Sequence, residues 1–454
     1  MVTRFRSIAA SPVCHLGRCD CWISLLCLLT GLSCQLSVAS ADDWPQWRGP
    51  NRDGVWRETG VTERFSGPEI KLRWRAKISG GYSGPTVADG RVFVTDRVTE
   101  PEEMERVHAF DWQTGQPLWT FSYPCVYRNV SYRTGPRASV TVHEGLAYAL
   151  GTMGHLHCLD AKTGAVLWKK TPNEDWEVDV PTWGVAAAPL VVGDLLIVQI
   201  GAKGACVAAL DRKTGEVRWK ALNDPASYSA PMLITQAGRR IVVCWTGERL
   251  AGLDALTGNL VWEVPFSHRR WIDGIITPVW DPETNRLFVS CFDCGSLLLQ
   301  LERDNLTVKT IWQRKGASEI QTDALHILMG NPILQEKWIF GVDSYGQFRC
   351  LDARNGDRIW EDLTLTSQVR WGTLHMVQHE DRVWMFNDQG ELMITKLSSQ
   401  GVQVVSKAKL LSPTRGQLNR GQGVTWSHPA FAYRHVFNRN DEEIVCADLS
   451  EEAQ

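Results

Sequence analysis

From about residue 70 to residue 450 short apolar runs alternate with breaks rich in Gly, Asp and Asn, as in PTVADGRVFVTD (85–96), APLVVGDLLIVQI (188–200), NPILQEKWIFGVD (331–343) and MVQHEDRVWMFND (376–388). Runs this short, bounded by turn residues, predict β-strands joined by tight turns, and no stretch carries a helical period of useful length. A second pattern follows the first three of these pairs and recurs between them. The chain reads AFDWQTGQPLW (109–119), LDAKTGAVLW (159–168), LDRKTGEVRW (210–219), LDALTGNLVW (253–262), LERDNLTVKTIW (301–312) and LDARNGDRIW (351–360). Each predicts a hairpin: an apolar strand ends at Asp, a Thr-Gly or Asn-Gly step supplies the positive φ of a tight turn, and the next strand carries Trp. The Asp is placed to accept the N–H groups of the turn.

The tryptophans Trp74, Trp119, Trp168, Trp219, Trp262, Trp312 and Trp360 recur with gaps of 45, 49, 51, 43, 50 and 48 residues. A period in the forties marks repeated supersecondary units, each of which buries its apolar face only against its neighbours. Four short antiparallel strands per unit is the arithmetic of a propeller blade. Six units end at Trp119 through Trp360, and a seventh runs from about Gly372 to Ala408. The tail offers three more strands, near TWSHPAFAY, RHVFNRN and EEIVCADL, while Lys71–Arg75 has the Trp phase with no hairpin before it. The expectation is therefore an all-β, eight-bladed β-propeller of four-stranded antiparallel blades, the last blade closed by the N-terminal strand, which removes two exposed edges. The seven periodic tryptophans are read as packing residues, since an indole supplies a large apolar area and one N–H in need of a partner.

The Leu-Asp-x-x-Thr-Gly-x-x-x-Trp pattern resembles the repeat of pyrroloquinoline-quinone-type (PQQ-like) eight-bladed propellers, over about residues 44–450. The opening Asp43–Gly54, DWPQWRGPNRDG, is similar to the segment that begins many secreted bacterial members. One branch of that family, the quinone-dependent alcohol dehydrogenases, implies PQQ, a Ca²⁺ held by carboxylate and amide oxygens, a disulfide between adjacent cysteines and a catalytic Asp. The chain departs from that branch, having no adjacent Cys pair. Its one dense oxygen cluster, Asn438–Glu443, falls where a solvated turn is expected. The other branch, which includes the outer-membrane assembly lipoprotein, has no cofactor and acts as an interaction scaffold. Fold alone does not choose between them.

Composition adds a compartment. Arg4, Arg6 and Arg18 precede the apolar run WISLLCLLTGLS and the Ala-x-Ala exit Ala39-Ser40-Ala41, so residues 1–41 read as a signal peptide and 42–454 as a single propeller domain, secreted or periplasmic. A retained leader, or a lipid on Cys34, would anchor it to a membrane instead. Without the leader 45 basic and 50 acidic residues remain, a net charge near −5, with no basic run to grip nucleic acid. Eight cysteines remain as well. Cys158, Cys350 and Cys446 occupy one phase of different repeats, where others have Ala or Gly, and read as small buried thiols. Cys291 and Cys294 alone are spaced for a local bridge or a metal, but no second pair or His lies near them in sequence. No metal site is assigned.

Function in such a ring belongs to the loops that lead into the innermost strands, where side chains of different blades converge. Those loops supply Tyr82, Arg133, Arg137, Trp183, Tyr228, Arg270, Trp271, Arg370, Trp371, Trp426 and His428 as rim-binding candidates, out of phase with the packing tryptophans. Asp273 and Asp323 are the rim carboxylates placed for a general base, though nothing in the sequence tunes or aims them. His155 and His157 share one face of a strand, but His108 stands at the same phase one unit earlier, which indicates packing. His326, His375 and His428 lie closer to the inner strands. Together these features imply a non-catalytic binding scaffold whose rim takes a protein, a peptide or a small polar ligand. A quinone-dependent alcohol or sugar dehydrogenase with an altered site, and an outer-membrane protein assembly scaffold, are the alternatives.

Overall fold

The computed structural model describes residues 42–172, 174–268, 271–418 and 421–453. The leader and Arg270 lie outside them. Eight four-stranded sheets are present, each antiparallel throughout. Blade 1 runs Thr86–Ala88, Arg91–Val98, Met104–Asp111 and Pro117–Pro124. First strands lie against one another between blades 8 and 1, 1 and 2, 2 and 3, and 5 and 6, so the first strands face the axis. In blade 1 that strand is wholly buried, while the fourth alternates between exposed and covered positions, as an outer edge should.

The ring closes as the repeat count requires. Blade 8 consists of Ala430–Ala432, His435–Arg439 and Glu443–Asp448, and its fourth strand is Leu72–Lys77, with Trp74 opposite Cys446.

The structure explains both constants of the repeat. Six of the seven blade tryptophans stand opposite a residue two positions before the hairpin Asp, namely Ala109, Cys158, Ala209, Gly252, Cys350 or Cys446, while Trp312 stands opposite Leu298 in a blade whose hairpin has Glu302 in place of Asp. Most of these are small because the indole lies over them; a Cβ on Gly252 would stand 2.2 Å from the ring of Trp262. The indole N–H then crosses to the next blade. Trp74, Trp119, Trp168, Trp219 and Trp312 donate to the carbonyls of Trp112, Ala161, Arg212, Ala255 and Ala353, each the residue after the neighbouring blade's hairpin Asp. The turn glycine of that neighbour lies on the indole face: a Cβ on Gly258, at φ +72°, would meet Trp219 at 2.5 Å. The turn Gly therefore answers two demands at once, positive φ and close approach. Asp160 accepts from the N–H groups of Lys162 and Thr163, as the Asx reading requires.

Two blades break the rule. The blade 5 hairpin has no glycine, and Trp262 donates instead to Gln236 Oε1 at 2.9 Å, whose amide nitrogen reaches the carbonyls of Asn305 and Thr307. Blade 7 has Ser406 at the tryptophan position, opposite Ile394. The seam between blades 7 and 8 is filled from the N-terminal segment: Trp56 packs on Trp384 of one blade and Phe431 of the other, and Ile70 N–H donates to Lys409 O.

The same segment closes the channel. Trp44 pairs with Val87, Val142 N–H donates to Pro45 O, and Trp47 Nε1 donates to Thr277 Oγ1 at 2.7 Å. Arg52 donates to the carbonyls of Ala188, Pro189 and Pro231. Thus DWPQWRGPNRDG is a plug bonded to blades 1, 2, 3, 4 and 5. The Asn438–Glu443 cluster spans the turn between the second and third strands of blade 8, as expected, with Glu442 exposed, but Asn438, Arg439 and Asn440 are buried. Arg439 ties blade 8 to Ser79 O and Thr95 O, and Asp441 accepts from Thr414 and from Gln417 N–H.

Candidate functional site

Above the plug lies a cavity of about 190 Å³ on the ring axis. Its floor is Trp47, held edge-on to His428 with ring centroids 4.3 Å apart. Its wall includes Tyr82, Arg137, Trp183, Tyr228, Trp371, Trp426 and His428 from the rim loops, so seven rim candidates converge there. Between them stand Ala188, Ala230, Ile275, Ile276, Leu328 and Met329. The chamber is aromatic and aliphatic, not the polar rim that its arginines and carboxylates suggested.

The other candidates are elsewhere. Arg133 is exposed and donates to Tyr127 O. Arg370 is bound to Glu319 at 2.6 Å and lies over the rings of Trp371 and Phe292. Trp271 is largely exposed and outside the lining. Neither carboxylate placed for a general base reaches the cavity. Asp273 is buried against His268, its Oδ1 2.6 Å from Nδ1, and Asp323 is paired with Arg314 at 2.9 Å. Both were legible as acids near the rim, but which partner would claim them was not.

Charge is nearly absent from the chamber. Among the described residues that line it there is no Asp or Glu, and Arg137 is the one charged group. That guanidinium is already spent on the carbonyls of Ser131, Tyr132 and Gly135 and stacks over Tyr82, 4.9 Å from the ring centroid. Burial pushes His375 down to about 4 and His428 down to about 3, so both imidazoles are neutral at pH 7. They are bonded, His375 Nε2 to Trp426 O and His428 Nε2 to Ser139 Oγ, both at 2.8 Å. Burial also raises Tyr82, and Tyr228 to about 12, so these phenols stay protonated.

Sequence reasoning missed Trp47, because nothing local shows that a residue before the first blade ends on the axis. It missed Ile275, Leu328 and Met329 because an apolar residue that lines a cavity reads like a core residue. His155 and His157 are packing residues as expected: His157 sits against Tyr123, centroids 4.4 Å apart, with burial pulling it down to about 3. His326 is bonded to Phe292 O, away from the cavity lining.

Eight four-stranded blades around an aromatic chamber, most of them locked to the next by an indole-to-carbonyl bond, define a PQQ-like repeat propeller. Residues 66–122 and 103–362 match the family described as outer membrane protein assembly factor BamB, and the chain belongs to it. Among curated relatives, the 1-butanol dehydrogenase (quinone) of Thauera butanivorans is 30% identical over 188 residues, 37% of this chain and 28% of that one. The quinohemoprotein alcohol dehydrogenase of Comamonas testosteroni is 25% identical over 206 residues, 43% of this chain and 28% of that one. The matches thus span less than a third of those relatives' length. Among solved structures, BamB from Moraxella catarrhalis has a TM-score of 0.55 at 17% identity, covering 84% of this chain and 97% of its own. The Comamonas testosteroni enzyme has a TM-score of 0.60 at 12% identity, covering 91% and 81%. These likenesses show the fold.

Proposed function

We propose that this chain is a secreted or periplasmic binding scaffold whose axial chamber receives an apolar or aromatic group presented by a protein or peptide, without catalysis. The observation that carries the reading is the lining itself: aromatic walls, two neutral imidazoles, one arginine already satisfied, and no carboxylate among the described residues. Family membership supports a scaffold, and assembly of outer-membrane proteins is one setting for it.

The quinone relatives make PQQ with Ca²⁺ the alternative, and the residues present do not fit that pair. A Ca²⁺ site gathers six to eight oxygen ligands, several of them anionic, whereas the described lining offers amide and hydroxyl oxygens only. The cavity also falls below the roughly 300 Å³ at which ligand pockets of this kind begin. The test is direct. Purified protein is incubated with PQQ and Ca²⁺, desalted and assayed for dye-linked alcohol and sugar oxidation; no retained quinone and no turnover are expected. In parallel, a photo-crosslinking residue at Trp371 should capture a peptide in the native compartment, and the same residue at exposed Leu256 should not. One retained equivalent of quinone with alcohol oxidation would overturn the scaffold reading.

A further inference from the structure

Beside the chamber, the turn Cys291-Phe292-Asp293-Cys294 lies against His268, a residue far from it along the chain. Sγ of Cys291 and Cys294, a carboxylate oxygen of Asp293 and an imidazole nitrogen of His268 all stand within 4.8 Å of one another. In the structure the two sulfurs are joined as a disulfide. A disulfide needs neither an imidazole nor a carboxylate beside it. These are here, and they are held.

His268 is the informative member. Its side chain is 2% exposed, and Asp273, 1% exposed, sits at its Nδ1 at 2.6 Å. That carboxylate fixes the proton on Nδ1 and leaves the lone pair on Nε2. Nε2 is buried without a hydrogen-bond partner among the described residues. Trp245 stacks on the ring, 5.5 Å between centroids and 22° between planes, so the orientation is set from a second side. A buried imidazole with one nitrogen on a carboxylate and the other without a hydrogen-bond partner, in a cluster with two sulfurs, has the arrangement of a metal ligand with its orienting partner. The sulfurs are prepared too: Cys294 N–H donates to Cys291 Sγ at 2.8 Å, a bond that stabilises a thiolate. Asp273 Oδ2 accepts from Asp293 N–H at 3.0 Å, so one carboxylate braces both the imidazole and the turn.

We propose that, with the Cys291–Cys294 bond reduced, His268 Nε2, both thiolates and the Asp293 carboxylate bind one Zn²⁺ ion. A dithiol reductant supplies two electrons and two protons to open the disulfide and is itself oxidised to a disulfide; Zn²⁺ then displaces the two thiol protons to solvent. Two thiolates, one imidazole and one carboxylate suit a tetrahedral structural zinc, with bonds of about 2.0–2.3 Å. Asp273 is a positioning residue. Phe292, between the cysteines, packs edge-on to Trp371 with centroids 4.7 Å apart, so the ion would fix a turn that supports the chamber wall.

The experiment uses the full chain purified without chelator. Zinc content by mass spectrometry and Co²⁺ titration are measured before and after reduction with a phosphine. Expected are no uptake in the oxidised protein and one equivalent in the reduced one, with a thiolate-to-cobalt absorption band and slowed alkylation of Cys291 and Cys294 by Zn²⁺. His268→Ala should abolish uptake, and Asp273→Asn should keep the stoichiometry while weakening affinity about 10–100-fold. The alkylation readout on the unaltered chain keeps the test open if a variant does not fold. Reduced, folded protein that takes up no metal, or full uptake by His268→Ala, would sink the proposal and leave the disulfide as the sole role of the pair.

Discussion

Phe65 N–H donates to Ser406 Oγ over 3.0 Å, at the position where each of the other seven blades carries its docking tryptophan. The seam between blades 7 and 8 is thus held by the N-terminal segment, with Trp56 as its wedge. Trp56→Ala should cost about 3–5 kcal/mol, the usual range for emptying a buried Trp site. A lower thermal midpoint, with the first protease cuts at this seam, is the expected result.

The turn glycines separate two effects that usually travel together. Gly193 and Gly258 both have positive φ, but a Cβ on Gly193 meets nothing within 4 Å, whereas one on Gly258 strikes the Trp219 ring. Gly193→Ala should cost only the backbone penalty, about 1–2 kcal/mol. Gly258→Ala should add an overpacking cost of about 1–3 kcal/mol. Equal losses in denaturant titrations of the two variants would show that the indole gives way.

Gln236 stands in for a missing backbone contact. Gln236→Leu leaves the Trp262 N–H buried and unpaired, a loss of about 1–3 kcal/mol, while Trp262→Phe in the same background should cost less than it does alone. A double-mutant cycle measures that coupling.

Two buried groups change stability in opposite directions below pH 7. His375 is held down to about 4 against an ordinary 6.5, so below pH 6.5 the unfolded chain binds protons that the folded chain refuses. Stability is intact above pH 6.5 and falls by about 1.4 kcal/mol per unit of pH down to about 4 for this group. His375→Gln should reduce the slope of that limb, leaving the shares of His428 and His157. Asp388 runs the other way: burial raises it from 3.8 to about 6, so its penalty grows as pH rises through that window. Asp388→Asn should therefore raise the melting midpoint at pH 7 and leave it unchanged at pH 3.5. Melting curves across pH check both signs.

The ring was legible because its constants are local: Asp, Gly and Trp within ten residues report a hairpin that recurs in most blades. Even the closure at Trp74 could be counted. The role of Cys158, Cys350 and Cys446 was also readable, since they share their phase with Ala and Gly. The chamber was only half legible. Loops leading into inner strands identified Tyr82, Trp183 and Trp426, but the polarity of the site was misjudged because Arg370 and Asp323 are neutralised by Glu319 and Arg314, partners outside the repeat phase. Trp47 and Arg52 were out of reach because their partners, such as Thr277 and Pro231, lie far along the chain. His268 failed for a related reason: it stands well before Cys291 in sequence and meets it only through the stagger of successive blades.

Because Leu72–Lys77 completes a sheet whose other strands end at Asp448, synthesis delivers the first piece of the last blade long before its place exists. Until the final residues emerge, the early strand has no partner, and the nascent chain carries an unpaired edge at each end. The order of translation therefore sets a waiting period in which a holdase has most to protect.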